Sequence, residues 1–156
     1  MDADNGPRII ANVLDVFARK MPLSLLEQVF DQDAVGYMDR VRVNVGRNGL
    51  ETWFRYMHAT MRERQISIDI DIGRIEMIGP GRYHVSGAVV TRHQNGRTET
   101  RRFAVTYLIE RERVTKVWST PSNYVGVVGR SIELPLCVGY MYHCLRAWYY
   151  RASGAS

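Results

Sequence analysis

The stretch that begins at Ile66 most constrains the fold, because its hydrophobic residues recur at every second position. From Ile66 to Ile72, isoleucines alternate with serine or aspartate, which is the period of a β-strand with one buried face. Turn signals then divide the chain at Gly79-Pro80-Gly81, Asn95-Gly96 and Arg111-Glu112. Turns between β-rich runs predict hairpins. The pattern therefore predicts a four-stranded antiparallel meander over about 66–78, 82–93, 98–110 and 113–120.

The segment before Ile66 has helical periodicity instead. Pro7 suits a first helical position, and the spacing predicts a helix over about 7–20 with the apolar face Ile10, Val13, Leu14 and Phe17. A second, short helix follows Pro22 and has the apolar face Leu25, Leu26, Val29 and Phe30. An extended segment, FDQDAVGYMDRVRV, comes next.

A third helix has the clearest signal of its own. Asn48 and Glu51 have the spacing of a capping box. One apolar stripe then follows at helical spacing, formed by Leu50, Trp53, Phe54, Met57 and Met61. His58 falls off this stripe and is expected to be exposed.

Composition bounds the class of protein. The 156 residues, 46% hydrophobic and 24% charged, fit one soluble globular domain, with a core of about 7–121 and an aromatic C-terminal extension over 122–156. The acidic start MDADNGPR is unlike a secretory signal. No apolar run reaches the roughly 20 residues of a membrane span. Cys137 and Cys144 lie too far apart to bond on one helix, so reduced thiols and a cytoplasmic location are expected.

Charge and metal-ligand patterns argue against two further classes. The net charge is +5, but the arginines are dispersed and belong to no recognisable nucleic-acid-binding module. The four histidines have no cysteine partners at zinc spacing. Neither nucleic-acid binding nor a metal is therefore predicted.

The turn lengths predict which side chains share a face of the sheet. If Asn95-Gly96 is a two-residue loop, residues whose numbers sum to 191 lie opposite each other, so that His84 faces Tyr107. The same logic around Arg111-Glu112 pairs Val105 with Trp118 and Tyr107 with Lys116. One face then collects Phe103, Val105, Tyr107, Ile109, Val114 and Trp118. The other face collects Val85, Gly87, Val89, Ala104, Thr106, Thr115, Val117 and Ser119. Both faces are too apolar to meet water. We expect a second copy of the chain to cover the aromatic face, and helices to cover the face of small side chains. His93 is expected on the surface, at the rim of the sheet.

The order of these elements resembles the NTF2-like, SnoaL-like domains over about residues 7–121. The order is three helices followed by a meander that ends in RVTKVWS. The extended segment FDQDAVGYM and a glycine-containing step at Gly46 and Gly49 come before the last of these helices. The resemblance implies an α+β cone, with N-terminal helices packed on a strongly curved antiparallel sheet that encloses a pocket, and frequent homodimers. That pocket serves ketosteroid isomerases, scytalone dehydratase, limonene epoxide hydrolase, polyketide cyclases and binding proteins.

Several catalytic residues of those enzymes have no counterpart in this chain. The tyrosines of ketosteroid isomerase would fall near Leu14, Phe30 and Phe54, and its oxyanion-hole acid near Ala104. Its general base would fall at Met38, beside Asp39. The aspartate pair and arginine of limonene epoxide hydrolase have no counterpart at the inward positions expected here. Asp39 is therefore the candidate acid or base, and Tyr37 a candidate partner that orients the substrate.

Two functions follow as hypotheses. The first is a cofactor-independent cyclase, isomerase or dehydratase acting on a hydrophobic small molecule. Its ligand would contact the inward residues Phe17, Trp53, Phe54, Met57, Ala104, Thr106, Val117 and Ser119. The second is a non-catalytic ligand-binding protein or dimeric accessory module. For Asp39, a turn residue paired with Arg40 or Arg42 remains the alternative reading. The C-terminal extension could cover the pocket, pack on the dimer or dock another protein.

Overall fold

The computed structural model describes residues 4–38 and 41–119, with the backbone alone for Met38 and Val41–Val45. Helix α1 spans Gly6–Phe17 and buries Ile10, Val13 and Leu14 of the predicted apolar face, whereas Phe17 is half-buried. It ends where Arg19 takes a left-handed conformation with φ of 63°. A 3₁₀ turn at Leu23–Leu25 continues into the four-residue helix α2, Leu26–Val29. Phe30, expected on the face of this helix, has extended dihedrals and begins the first strand.

Helix α3 spans Gly46–Glu63 and buries the predicted stripe together with His58. The exposed position expected for His58 is therefore wrong, because the side chain points to the end of α1. Its Nε2 lies 2.7 Å from the carbonyl oxygen of Val16. The imidazole is a second donor to this carbonyl near the helix C-terminus, which also accepts the backbone N–H of Arg19 at 3.1 Å.

Six strands in the described part of the chain form one curled sheet. Strands β1 (Phe30–Met38) and β2 (Val41–Val45) come from the extended segment. The meander consists of β3 (Ser67–Gly79), β4 (Arg82–Arg92), β5 (Thr98–Glu110) and β6 (Arg113–Ser119), within one residue of the predicted bounds. The order is β2-β1-β6-β5-β4-β3, and β1 runs parallel to β6. The sheet is strongly curled and does not close on itself, so the α+β cone is confirmed.

The predicted register between β4 and β5 is wrong by one residue. His93 donates its backbone N–H to the carbonyl of Arg97 at 2.8 Å, so three residues form the loop, with Gly96 at a φ of 82°. A three-residue hairpin with a left-handed glycine is a common alternative to the two-residue turn. His84 therefore pairs with Thr106 rather than Tyr107. A slip of one residue exchanges the faces of one strand relative to the other.

The β5–β6 register has an irregularity of its own. Arg111 and Glu112 both have positive φ, as a two-residue type I′ turn requires, and Glu110 pairs with Arg113 as predicted. The register then shifts by one residue between Leu108 and Ile109, which is the signature of a β-bulge. Beyond the shift, Tyr107 pairs with Val117 instead of Lys116.

These two shifts define the faces of the sheet. The concave face contacts the helices and carries the buried strand residues Ile68, Tyr83, Val85, Val89, Phe103, Tyr107 and Val114. The convex face carries Arg82, His84, Ala104, Thr106 and Trp118, which follow from the observed pairs. The predicted aromatic face therefore has the wrong residues, since five of its six members face the helices: Phe103, Val105, Tyr107, Ile109 and Val114. The predicted orientation is right for Trp118.

Helix α1 is fastened to the sheet at both ends. The hydroxyl of Tyr83 donates to the Asp4 carboxylate just before the helix. At the other end, the Asp69 carboxylate lies 3.2 Å from Lys20 Nζ and 3.2 Å from Arg92 Nε. These contacts fix the helix across β3 and β4.

Candidate functional site

The inward side chains of β5 change from polar to apolar along the strand. Glu99, Arg101, Phe103, Val105 and Tyr107 share the concave face, because alternate residues of a strand point the same way. Phe103 and Tyr107 are buried, whereas Val105 is half-buried. The concave face therefore offers an apolar surface that ends in charged groups toward the β4–β5 hairpin.

Four predicted ligand-contacting residues lie in the helical wall. Phe17 and Phe54 meet edge to face with ring centroids 5.9 Å apart, and Trp53 and Met57 are only 8% and 3% exposed. Phe30 packs on the other side of Phe54, at 6.3 Å between ring centroids. This part of the interior is filled by its own side chains, so these residues form the backing of the concave space.

The strand residues predicted to contact a ligand divide between the two faces. Val117 and Ser119 lie on the concave face opposite Tyr107 and Val105, and both are half-buried. Ala104 and Thr106 lie on the convex face, since they pair with Ser86 and His84. Their inward placement was wrong because of the three-residue loop. The Thr106 hydroxyl lies 3.2 Å from His84 Nδ1 on that side.

Tyr37 also lies on the convex face. Its ring stacks on Trp118 with centroids 5.7 Å apart and an interplanar angle of 13°, and Arg82 lies 4.9 Å from the centroid of the Trp118 ring. The phenol therefore does not point to the concave side, against the expected pairing with Asp39. Asp39 itself lies outside the described residues, directly after β1, whose last residue Met38 pairs with Ser119.

A polar cluster at the hairpin end of the concave face was missed by the sequence reasoning. Thr91 pairs with Glu99 across the two strands, and His93 Nε2 lies 3.7 Å from Glu99 Oε1. Arg97 Nη2 lies 2.8 Å from the same oxygen. The side chains of His93 and Glu99 are 20% and 14% exposed, so the rim position expected for His93 is only partly right. A three-residue loop, had it been assumed, would have placed Thr91 and Glu99 inward together.

At the opposite end of β4, Tyr83 holds its proton firmly. Burial, followed by the hydrogen bond to Asp4 and the charge of Asp4, raises the pKa of the Tyr83 phenol to about 12. A Cβ atom on Gly6 would lie 2.4 Å from the Tyr83 ring, so the helix start packs directly on it. The geometry makes Tyr83 a structural anchor rather than a group that titrates near neutral pH.

Within 4–38 and 41–119, no three His, Cys, Asp or Glu side chains are placed to bind a metal ion together. No helix in that part of the chain is long and apolar enough to cross a membrane.

The curled sheet, its order and the helices on its concave side define the NTF2-like fold, and the predicted resemblance is confirmed at this level. The chain matches no family model and no curated protein. Similar solved structures include IdmH from Streptomyces antibioticus, a proposed polyketide cyclase, at 13% identity. Its TM-score is 0.61, with 85% of this chain and 97% of IdmH covered.

Two other solved structures show how broad this likeness is. An LEH-like epoxide hydrolase from M. tuberculosis is 14% identical, with a TM-score of 0.60 and coverage of 89% of this chain and 99% of its own. A de novo designed protein with a curved β-sheet is 9% identical, with a TM-score of 0.63 and coverage of 91% and 99%. The likeness therefore shows the fold and not the reaction.

Proposed function

We propose that this protein binds an apolar small molecule on its concave face and converts it without a cofactor, by a cyclisation, isomerisation or dehydration. The observation that carries the proposal is the pair of half-buried valines, Val105 and Val117, beside an otherwise buried core. Apolar side chains that stay partly accessible inside a concave wall suit a ligand site. The solved neighbours named as a proposed polyketide cyclase and an epoxide hydrolase agree with a small organic substrate.

Asp39 is the proton-transfer group in this proposal. It follows β1 directly, and β1 ends beside Ser119, whose hydroxyl lies 3.3 Å from the carbonyl oxygen of Tyr37. A carboxylate at the edge of an apolar site can move a proton while the site positions the ligand. Tyr37 lies on the convex face, so the proposal gives it no part in the proton transfer.

Native mass spectrometry of the purified protein tests this function. We expect a small organic molecule to be retained by the wild type and by Asp39→Asn, and only the wild type to convert the molecule on incubation. A retained molecule that neither protein converts would support the non-catalytic binding alternative. Equal conversion by both would remove Asp39 from the mechanism, and the absence of any retained molecule, together with no binding of added apolar probes, would contradict the function.

We also propose that the convex face pairs with a second copy of the chain. Tyr37, Leu108 and Trp118 are half-buried on this face, and stacked aromatic rings are common at the centre of interfaces. Trp118→Glu should give monomers in sedimentation velocity experiments where the wild type gives dimers. Gln28→Glu, at an exposed site of α2 and away from this face, is the control and should stay dimeric. A wild type that stays monomeric at high concentration would contradict the homodimer.

A further inference from the structure

Strand β3 forms a free edge of the sheet. In the order of the described strands, β3 pairs with β4 on one side and with no strand on the other. Three large apolar side chains are exposed in the described part of the chain: Met21 at 40%, Met77 at 60% and Ile78 at 53%. Two of them lie on β3 itself. A strand edge that exposes apolar side chains is a template for pairing with another strand.

Only part of this edge is open to a second strand. The segment after α1 occupies the start of β3, where Lys20 Nζ lies 3.2 Å from the Asp69 carboxylate. Farther along, the register with β4 shifts between Ile72 and Arg74 and again at Ile78. Such irregularities bend a strand and limit edge pairing. An added strand therefore meets regular backbone only between the two shifts.

The charges of that stretch are complementary to themselves. Arg74 and Glu76 lie on the convex side of β3, opposite Ser86 and His84, and Arg74 Nη2 lies 3.3 Å from Glu76 Oε1. If a second β3 runs antiparallel with a two-fold axis at Ile75, each Arg74 lies opposite the Glu76 of the other copy. Opposite charges that face each other across two strands stabilise the pair, and like charges destabilise it. Moving the axis by one residue would place Arg74 or Glu76 opposite the same residue of the other copy.

The exposed apolar side chains fit the same alignment. Met77 would lie opposite Gly73 of the second copy, and Ile78 opposite Ile72, which is half-buried. The large side chains of one copy would therefore cover the glycine bend of the other. Ile75 is half-buried on the concave side and would meet its own counterpart at the axis. Charge matching and apolar matching thus favour one register.

We propose that two copies of the chain join edge to edge through β3, in an antiparallel pair centred on Ile75. This contact uses the edge of the sheet and is independent of the proposed pairing of convex faces. It involves only a few residues, far fewer than the roughly 20–30 residues a side of a standard interface. The edge contact is therefore weak, and it joins molecules at high protein concentration without replacing the convex-face dimer at low concentration.

Disulfide trapping of single cysteine variants tests the alignment. Ile75→Cys places two thiols opposite each other at the axis, within the Cα separation of about 4.4–6.8 Å that a disulfide requires. On mild oxidation at high protein concentration, we expect this variant to form cross-linked dimers at least about tenfold above the wild type. The wild type, with Cys137 and Cys144, sets the background.

Met77→Cys is the matched control. Met77 shares the concave side with Ile75, opposite Tyr83, and is the more exposed of the two. In the proposed pair, however, its two copies lie roughly 13 Å apart along the strands, at ~3.3 Å per residue. Cross-linking of this variant should stay at background. Equal cross-linking of Met77→Cys and Ile75→Cys would overturn the alignment, and background levels in both would overturn the edge pairing.

Charge exchange tests the register independently. When Arg74→Glu is added to Ile75→Cys, we expect cross-linking to fall by about threefold or more, because four like charges then meet across the pair. Adding Glu76→Arg as well exchanges the two charges and should restore the cross-link, which also shows that the strand still folds. A cross-link that Arg74→Glu leaves unchanged would overturn the charge pairing on which the register rests.

Discussion

Replacing Gly87 by alanine is expected to lower the free energy of unfolding by about 3 kcal/mol or more, and the melting temperature by roughly 10 °C. A Cβ atom at this position would lie 2.1 Å from the backbone oxygen of Asp71 and 3.0 Å from a ring carbon of Phe103. The backbone oxygen belongs to the neighbouring strand and cannot move without breaking the β3–β4 pairing. The substitution would also displace Phe103 on the concave face.

Gly73 provides a matched control for this prediction. It lies at the register shift between Ile72 and Arg74, where strands close to a bend often carry glycine. Its added Cβ would meet the Ser86 oxygen at 3.5 Å, an ordinary contact. Gly73→Ala should therefore change stability by less than about 1 kcal/mol. Thermal melts in which both variants behave alike would show that close strand approach at Gly87 does not limit the fold.

Replacing His58 by leucine is expected to lower the free energy of unfolding by about 1 kcal/mol, the net contribution of one buried hydrogen bond. The imidazole is 5% exposed and ties α3 to the Val16 carbonyl at the end of α1. Leucine fills much of the same space but removes this hydrogen bond, and the Val16 carbonyl then keeps the Arg19 backbone N–H, at 3.1 Å, as a donor. Urea denaturation measures the loss, and a Leu variant as stable as the wild type would show that the contact contributes nothing net.

The same histidine makes stability depend on pH. Burial, assisted by the nearby charges of Arg19 and Arg62, lowers the pKa of His58 from 6.5, against hydrogen bonds to the backbone of Val16 and Phe17 that raise it. Below pH 6.5 the unfolded chain binds a proton that folded His58 resists. The stabilisation is therefore complete above that pH and is lost as the pH falls toward the folded-state pKa.

His58→Gln isolates this contribution, because glutamine can still donate to Val16 but does not titrate. Between about pH 5 and 7, the stability of the wild type should fall more steeply on acidification than that of the Gln variant. The difference can reach about 1.4 kcal/mol per pH unit for one proton. Parallel curves would mean that His58 has the same affinity for protons in both states.

The elements of this fold were readable from the sequence because each has a strong local signal. The alternating isoleucines after Ile66 predicted β3, and the stripe that includes Trp53 and Met57 predicted α3. Phe30 was assigned to a helix face because a short apolar run has no period of its own. The parallel pairing of β1 with β6 was not predicted, since it joins residues far apart in the chain.

The faces of the sheet could not be predicted from the same signals. Asn95-Gly96 fits both a two-residue and a three-residue hairpin, and the choice between them decides whether Val105 or Thr106 points inward. The shift near Thr115 has no sequence marker such as glycine and was not predicted either. The two shifts cancel for Val117 and Ser119, which were therefore placed correctly, whereas Ala104 and Thr106 were placed on the wrong face. The polar cluster around Glu99 was hidden by the same ambiguity.

The central claim is that a ligand binds the concave face defined by the observed register. Val105→Phe and Thr106→Phe test it directly, since these adjacent residues point to opposite faces. Binding of the apolar fluorophore N-phenyl-1-naphthylamine should weaken about tenfold or more in Val105→Phe and stay within about twofold in Thr106→Phe. Loss of binding in Thr106→Phe with retention in Val105→Phe would contradict the account.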